Sequence, residues 1–289
     1  MSAPDPRYTE PGWVKWSVIA FIFAWVGLFL ILPLVVVFHE ALAKGWQVYL
    51  QSFSDQATAH AIKLSLLTAG VAVLLNTIFG ISAAWLLTRF RFRGRHLLLI
   101  LIDLPFAVSP VIAGLVFVLL FGLQGWFGPW LREHDLRILF ALPGLILATV
   151  FVTFPFVARE LIPVLEAVGT EEEEAARMLG AGGFSIFWRI TLPNVKWGLI
   201  YGIILASARA LGEFGAVSVV SGHIRGQTNT LPLHIEILHN EYQSVAAFAC
   251  ATLLSLVAVA VLVIKEVAAW RQRSLLERTT RSPPPLSNV

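Results

Sequence analysis

Six long apolar stretches alternate with shorter polar segments along the 289-residue chain. An α-helix needs about 20 predominantly apolar residues to cross the hydrocarbon core of a bilayer, and each stretch reaches that length. The predicted membrane spans are residues 16–38, 62–87, 97–122, 138–158, 197–220 and 244–264. The third span contains Pro105 and Pro110, which interrupt regular helix. The pattern therefore predicts an all-α membrane protein with six transmembrane helices.

The first apolar stretch must be compared with a cleaved signal peptide. Its 23 residues exceed the apolar core of a signal peptide, which has about 7–15 residues. The sequence EALAK that follows, at residues 40–44, nevertheless contains a small-residue cleavage pattern. The length favours a retained membrane span, and cleavage stays the alternative.

The composition also points to a membrane environment. Hydrophobic residues make up 57% of the chain and charged residues only 13%, whereas a soluble domain carries roughly 25% charged residues. Charge is costly inside a bilayer, so stacked spans require this shortage. The single cysteine, Cys250, excludes an intrachain disulfide and is interpreted as a small buried hydrophobic residue.

Lysine and arginine residues are distributed unequally between the two sides of the predicted spans. Fifteen lie on the side of both termini, four lie on the opposite side, and two lie within spans. Positive charge collects on the cytoplasmic side of membrane proteins, so both termini are predicted to be cytoplasmic. This asymmetry explains the net charge of +3 without a nucleic-acid partner. The predicted external connections are residues 40–61, 123–137 and 223–243.

The predicted spans divide the chain into three parts. Residues 1–57 comprise a cytoplasmic N-terminus, the first transmembrane helix and the start of an external loop. Residues 58–266 form a transmembrane domain with the other five helices. Residues 267–289 form a cytoplasmic tail that is predicted to be disordered, because its end is proline-rich and polar.

The longest predicted cytoplasmic loop, residues 159–196, contains the sequence EEEEAARMLGAGGFSIFWRITLP. Thr170 and Glu173 have the spacing of a capping box, and Glu173 and Arg177 have that of an ion pair on one helical face. Gly180 is a natural left-handed residue at the end of this helix. The pattern predicts a short helix over residues 171–179.

A second short helix is predicted from about Phe184, after the glycines at 182 and 183. It should end at or before Leu192, because a proline at 193 disfavours helical conformation in the preceding residue. An amphipathic helical hairpin with nothing in the chain to cover it is typical of a docking element.

The residues of this hairpin resemble the EAA loop of ABC importer permeases, whose pattern is EAA-x3-G-x9-I-x-LP. The matching positions are Glu174, Ala175, Ala176, Gly180, Ile190, Leu192 and Pro193. The resemblance implies a type I ABC importer permease fold and a coupling loop that docks in a groove of a separate ATPase subunit. It also implies an arginine of that ATPase as the partner of Glu174.

The sequence contains no G-x-x-x-x-G-K-[ST] phosphate-binding loop. We therefore expect no enzyme activity and no cofactor in this chain, with ATP and Mg²⁺ held by the partner ATPase.

Ionisable residues within membrane spans are candidates for the translocation pathway. Lys63 lies at the outer end of the second span, from which its side chain can reach the interface. Asp103 begins the sequence DLPFAVSPVIAG, which also contains Ser109. Asp103 either satisfies backbone groups freed by the two prolines or lines the pathway together with Ser109.

Arg209 and Glu213 are the other candidates. Arg209 lies about 18 Å along the fifth predicted helix, near the middle of the membrane, and Glu213 follows four residues later on the same face. Two interpretations stay open. The residues form a structural ion pair, or Arg209 offers a positive field to an anion in the pathway.

Two segments, ARALGEFGAVSVVSG at 208–222 and LPFAVSPVIAG at 104–114, resemble permeases for tetrahedral oxyanions such as sulfate and molybdate. The external segment from residue 222 is similar to the W-type permease subunits of sulfate/thiosulfate importers. This resemblance implies the bacterial inner membrane, a T-type permease partner, two ATPase copies and a periplasmic sulfate/thiosulfate-binding protein. Molybdate or another oxyanion stays the alternative substrate.

Two other classes of function fit the sequence less well. An ion-coupled secondary transporter with Glu213 as a proton site does not explain the docking hairpin, and a membrane enzyme lacks residues at catalytic spacing. His223, His234 and His239 have spacings of 11 and 5 residues, which place no two on neighbouring turns of one helical face. They are interpreted as ordinary loop histidines, and no metal site is predicted.

Overall fold

The computed structural model describes residues 12–281, which contain helices and connecting turns and no strand. We number the helices α1 to α12 in chain order. The first six are α1 Gly12–Leu42, α2 Trp46–Gln51, α3 Gln56–Arg89, α4 Arg95–Ala107, α5 Pro110–Phe121 and α6 Gly128–Glu133. The others are α7 Leu142–Val168, α8 Glu171–Met178, α9 Gly183–Leu211, α10 Gly215–Ser221, α11 Leu231–Asn240 and α12 Ser244–Arg281. The all-α prediction is confirmed.

Five of these helices are long and apolar enough to cross a membrane. They are α1, α3, α7, α9 and the part of α12 over Ser244–Val267. The pair α4 and α5 passes the same test together but is bent by 108° between the two helices. The predicted number of six spans is reached when this bent pair is counted as one span.

The bend in the third span is sharper than the predicted interruption. Val108 and Ser109 are extended, with ψ angles of 130° and 134°, and Pro110 begins α5. A residue before proline avoids helical conformation, and this restriction fixes the break at Ser109. Pro105 lies inside α4 and does not end it.

Two other predicted spans have wrong boundaries. The fourth runs to Val168 rather than to residue 158, because buried Leu161 and Leu165 continue its packed face. The fifth was predicted as one helix over residues 197–220. Instead α9 ends at Leu211, and α10 begins only after a break at residues 212–214.

The predicted disordered tail, residues 267–289, begins as helix, because α12 continues to Arg281. The rest of that tail, residues 282–289, lies outside the described residues. The first eleven residues of the chain also lie outside them.

The centre of the bundle is formed where α3, α7 and α9 meet around Val157. A Cβ atom added to Gly80 of α3 would lie 2.7 Å from the Val157 Cβ, and one added to Gly202 of α9 would lie 3.2 Å from the Val157 Cα. Glycine at both positions therefore allows the close approach that packs helices in membranes. One turn before Gly80 on α3, the Asn76 amide donates to Thr153 Oγ1 of α7 at 2.8 Å.

We expect Gly80→Val to lower the free energy of unfolding by about 1–3 kcal/mol, the usual cost of overpacking. The added side chain has no room beside Val157. Gly70→Val is the matched control on the same helix, because no atom lies within 4 Å of a Cβ added at Gly70. Thermal unfolding in detergent measures both variants, and an equal midpoint for the two would contradict this packing.

Helix α1 packs less than the other spans. None of the residues in its most apolar window is buried within the chain. Its second half, residues 32–42, lies against α12, and Ala41 is fully buried. This contact is what a retained span would make, although retention of α1 stays a prediction.

Candidate functional site

The predicted coupling loop consists of α8, a turn over residues 179–182 and the start of α9. Gly180 has a φ of +84°, which side-chain-bearing residues rarely adopt. The Gly180 N–H donates to the Arg177 carbonyl at 3.0 Å, and the Ala181 N–H donates to the Ala176 carbonyl at 3.0 Å. These two bonds form the Schellman arrangement, so the prediction that Gly180 ends the helix is confirmed.

The predicted capping box and ion pair do not form. The Thr170 hydroxyl donates to Glu174 Oε1 at 2.7 Å and makes no hydrogen bond to the backbone of the helix. Glu173 turns into the protein, where Arg89 Nε donates to its two carboxylate oxygens at 3.1 and 3.0 Å. This buried partner replaces Arg177, because a buried charge-assisted hydrogen bond is stronger than an exposed pair along the helix.

The second predicted helix does not end before Pro193. Helix α9 begins at Gly183 and continues through Pro193 to Leu211. Residues Phe187–Thr191 form a π-helical turn, in which the Leu192 N–H donates to the Phe187 carbonyl. This wider turn shifts the hydrogen-bond register just before the proline ring, so the helix accommodates a residue that otherwise interrupts it.

The loop has a large exposed apolar surface. Met178 is 90% exposed, Leu179 is 89% exposed and Phe184 is 80% exposed. Within residues 12–281 no segment covers them. Among the motif residues, Glu174, Ala175, Gly180 and Pro193 are exposed, whereas Ala176, Ile190 and Leu192 are partly buried. An exposed apolar patch rimmed by charges is typical of a protein interaction site.

The pairing of Arg209 with Glu213 is confirmed, but the two residues do not share one continuous helix. Arg209 Nη1 lies 2.6 Å from Glu213 Oε2, an ion contact without the alignment of a hydrogen bond. Glu213 lies in the break after α9, where its Oε1 accepts from the Ala216 N–H at 2.8 Å and so caps α10. The Glu213 side chain is 1% exposed, and that of Arg209 is 33% exposed.

The two segments that carry the oxyanion resemblance lie side by side. A Cβ added to Gly215, at the start of α10, would lie 3.0 Å from the Pro110 Cβ at the start of α5. A Cβ added to Gly114 would lie 2.8 Å from the Ala216 carbonyl oxygen. The bend that contains exposed Ser109 therefore packs against the helix that Glu213 caps.

Asp103 does not make the backbone contacts that one of its two interpretations predicted. Its two carboxylate oxygens accept from Arg159 of α7, so it does not serve backbone groups freed by the prolines. Both side chains are partly exposed. The pair joins α4 to α7, and the structure does not connect it to Arg209 or Glu213.

The family of the chain follows from its similarity to known proteins. The sequence profile described as "binding-protein-dependent transport system inner membrane component" matches residues 76–273, which include the coupling loop and both helix breaks. The chain belongs to this family. As an inner-membrane component of such a system, it is an integral transport permease.

Individual relatives in this family are similar over most of their length. The sulfate transport system permease protein CysW of Synechocystis sp. is 52% identical over 89% of this chain and 94% of its own. CysW of Escherichia coli K12 is 51% identical over 90% of this chain and 89% of its own. The CysT protein of the same strain is 37% identical over 88% of this chain and 91% of its own.

A solved structure supports the permease fold. It is a bacterial ABC transporter involved in the import of the acidic polysaccharide alginate, and it matches with a TM-score of 0.74. The match covers 91% of this chain and 96% of that chain at 18% identity. The arrangement of helices in this chain is therefore that of an ABC importer permease.

The permease contains a buried histidine that was wrongly interpreted as a loop residue. His234 lies on α11 and is 1% exposed. Its Nε2 is 3.0 Å from the Thr58 hydroxyl, and its Nδ1 is 3.3 Å from the Asn229 amide nitrogen. Burial lowers the pKa of His234, so its imidazole is neutral near pH 7. The sequence signal for this helix was Thr230, a favoured N-cap residue, followed by Pro232 in the first turn.

Proposed function

We propose that the chain is the membrane-spanning permease subunit of an ATP-driven importer for sulfate and thiosulfate. The observation that carries this proposal is the exposed, Schellman-ended coupling loop in a chain about half identical to CysW permeases. Molybdate or a related oxyanion is the alternative substrate, because the resemblance of the two helix breaks extends to molybdate permeases.

The energy for import comes from a separate ATPase that docks on the coupling loop. The patch of Met178, Leu179 and Phe184 provides the apolar area that such a contact buries. Glu174, exposed beside this patch, pairs with an arginine of the ATPase. ATP and Mg²⁺ are bound by the two ATPase copies and not by this chain, which has no phosphate-binding loop.

The remaining partners are a second permease of the T type and a periplasmic sulfate/thiosulfate-binding protein. The T-type partner is supported by the 37% identity to CysT. This identity indicates that W-type and T-type permeases are related and share one fold. This chain and its T-type partner place the breaks at Ser109 and at residues 212–214, and the corresponding breaks of the partner, around a shared pathway.

The positive charge for a crossing anion comes from Arg209. A divalent oxyanion does not enter the hydrocarbon core unaided, because desolvating a charge costs many kcal/mol. One nitrogen of the Arg209 guanidinium contacts Glu213, and the Arg209 side chain stays one-third exposed within the single chain. Its remaining N–H groups are therefore available to an anion.

The proposed function is tested with the purified complex of both permeases, the ATPase and the binding protein in nanodiscs. We expect sulfate-loaded binding protein to raise ATP hydrolysis, and molybdate-loaded binding protein to raise it less. A complex that forms without any rise in hydrolysis would contradict an ATP-driven importer. A larger rise with molybdate would change the substrate and leave the class of transporter intact.

The orientation is a separate prediction, since the charge asymmetry alone supports it. We expect Gln227→Cys, between α10 and α11, to react with a membrane-impermeant maleimide in intact spheroplasts. Gly182→Cys, in the coupling loop, should react only after the membrane is opened. The native Cys250 is fully buried and gives little background. The reverse pattern, with Gly182→Cys labelled in intact spheroplasts and Gln227→Cys only after opening, would contradict cytoplasmic termini.

A further inference from the structure

Arg89, the last residue of α3, binds three groups from a buried position. Its side chain is 8% exposed. Nε donates to both Glu173 oxygens, Nη1 donates to the Leu165 carbonyl at 3.1 Å, and Nη2 donates to the Gly169 carbonyl at 2.7 Å. The Leu165 carbonyl belongs to the last turn of α7, where backbone acceptors have no partner within the helix. One guanidinium therefore fastens α8 and the end of α7 to α3.

Glu173 extends the same cluster to a fourth helix. Its side chain is 11% exposed, and Oε1 also accepts from the Thr191 hydroxyl at 2.9 Å. Thr191 is buried and ends the π-helical turn of α9. We call Arg89, Glu173 and Thr191 the clasp. It joins the coupling helix α8 to three membrane helices at one point.

The neighbouring glutamates do not share this position. Glu171, Glu172 and Glu174 are exposed, and Glu174 bonds locally to Thr170. Glu173 alone among the four is buried and reaches Arg89, whereas the exposed Glu172 accepts from the Asn194 amide of α9 at 2.6 Å. The run of glutamates thus has two sides, one for a partner and one for the membrane helices.

We propose that Arg89 is a positioning residue for energy coupling, and that the clasp makes α8 move as one body with α3, α7 and α9. The inference rests on the proposed function, because it assumes that an ATPase displaces α8. A displacement of α8 alone would separate a buried ion pair and leave each charge unpaired, which is strongly unfavourable. The displacement is therefore transmitted to the membrane helices instead of being absorbed in the loop.

Arginine is specifically required in this clasp. The planar guanidinium reaches the carboxylate and two carbonyl groups in fixed directions, whereas a lysine ammonium is a compact charge on a flexible chain. Arg89→Lys keeps the charge and loses the simultaneous hold on α7 and α8. Thr191→Val removes only the hydroxyl that ties Glu173 to α9, and it keeps the shape of the side chain.

A matched control is present at the same end of the bundle. Arg95, at the start of α4, forms a pair with Glu166 of α7 at 3.3 Å, with side chains 42% and 53% exposed. It also joins two helices, but through one solvated contact that does not involve α8. Arg95→Lys is therefore expected to leave coupling unchanged.

The test measures sulfate imported per ATP hydrolysed in proteoliposomes containing the complete complex. A purely structural role for Arg89 would reduce the amount of assembled complex and leave this ratio unchanged. We expect Arg89→Lys to lower the ratio several-fold and Thr191→Val to lower it by a smaller factor, with Arg95→Lys equal to wild type. If Arg89→Lys does not assemble, the ratio for Thr191→Val decides.

The failure of the inference differs from the failure of the proposed function. If assembled Arg89→Lys and Thr191→Val complexes import as much sulfate per ATP hydrolysed as the wild type does, the role of the clasp is overturned. The proposed importer function would then still stand. A wild-type complex without ATP-dependent import would overturn both.

Discussion

Replacing Arg209 with glutamine is expected to abolish most sulfate uptake and to reduce the yield of the complex. The loss of yield follows from Glu213, whose carboxylate is 1% exposed and would lose its counter-charge. Breaking a buried ion pair by removing one partner costs about 3–5 kcal/mol, and the partial exposure of Arg209 places this case toward the lower end.

The double variant Arg209→Gln with Glu213→Gln separates stability from transport. Glutamine at 213 keeps a carbonyl oxygen for the Ala216 N–H that caps α10, so assembly should recover. We expect uptake to stay low, because the positive charge for the anion is still missing. Full recovery of both complex yield and uptake in the double variant would leave Arg209 as a structural ion-pair partner only.

Replacing Gly180 with leucine is the second change with a large expected effect. A left-handed conformation costs a residue with a side chain about 1–2 kcal/mol, which corresponds to roughly a tenfold loss of the native turn. No atom lies within 4 Å of a Cβ added at Gly180, so strain in the turn, rather than crowding, disturbs the docking surface. We expect uptake to fall about tenfold while insertion into the membrane stays normal.

Gly182→Leu is the matched control in the same loop. Gly182 has a φ of −72°, which any residue adopts, and it has the same open surroundings. Glu174→Lys should weaken docking by a separate route, because it reverses the charge offered to the ATPase. Uptake at the wild-type rate by both Gly180→Leu and Glu174→Lys, at equal membrane levels, would remove the coupling loop from the mechanism.

The sequence predicted those features that depend on local chemistry. The length of the apolar stretches predicted the spans. Gly180 predicted the end of α8, because this turn depends on the backbone conformation of that one residue. Pro110 likewise indicated the position of the break in the third predicted span. Such features need no knowledge of distant residues.

The failures share a physical cause, which is competition from residues far away in the chain. Helical spacing predicted Arg177 as the partner of Glu173, but Arg89 offers a buried partner that this spacing does not reveal. One of the two interpretations of Asp103, contact with nearby backbone groups, is likewise replaced by binding to Arg159. Long-range charge pairs of this kind are set by packing.

The other errors concern helix continuity. The rule that proline ends a helix was applied at Pro193, where a π-helical turn accommodates the ring. Conversely, an apolar run was interpreted as one helix over residues 197–220, although Glu213 caps a new helix inside it. Hydropathy measures the environment of a segment and is insensitive to such changes in hydrogen-bond register.

The central claim is that this permease is driven by ATP hydrolysis on a docked partner. The most direct test is the import of radiolabelled sulfate into proteoliposomes that contain the complete complex, with binding protein outside, ATP enclosed and an ionophore present to remove ion gradients. We expect uptake with enclosed ATP and none with an enclosed non-hydrolysable analogue. Uptake that persists with the analogue, or that occurs only when the ionophore is left out, would contradict the account.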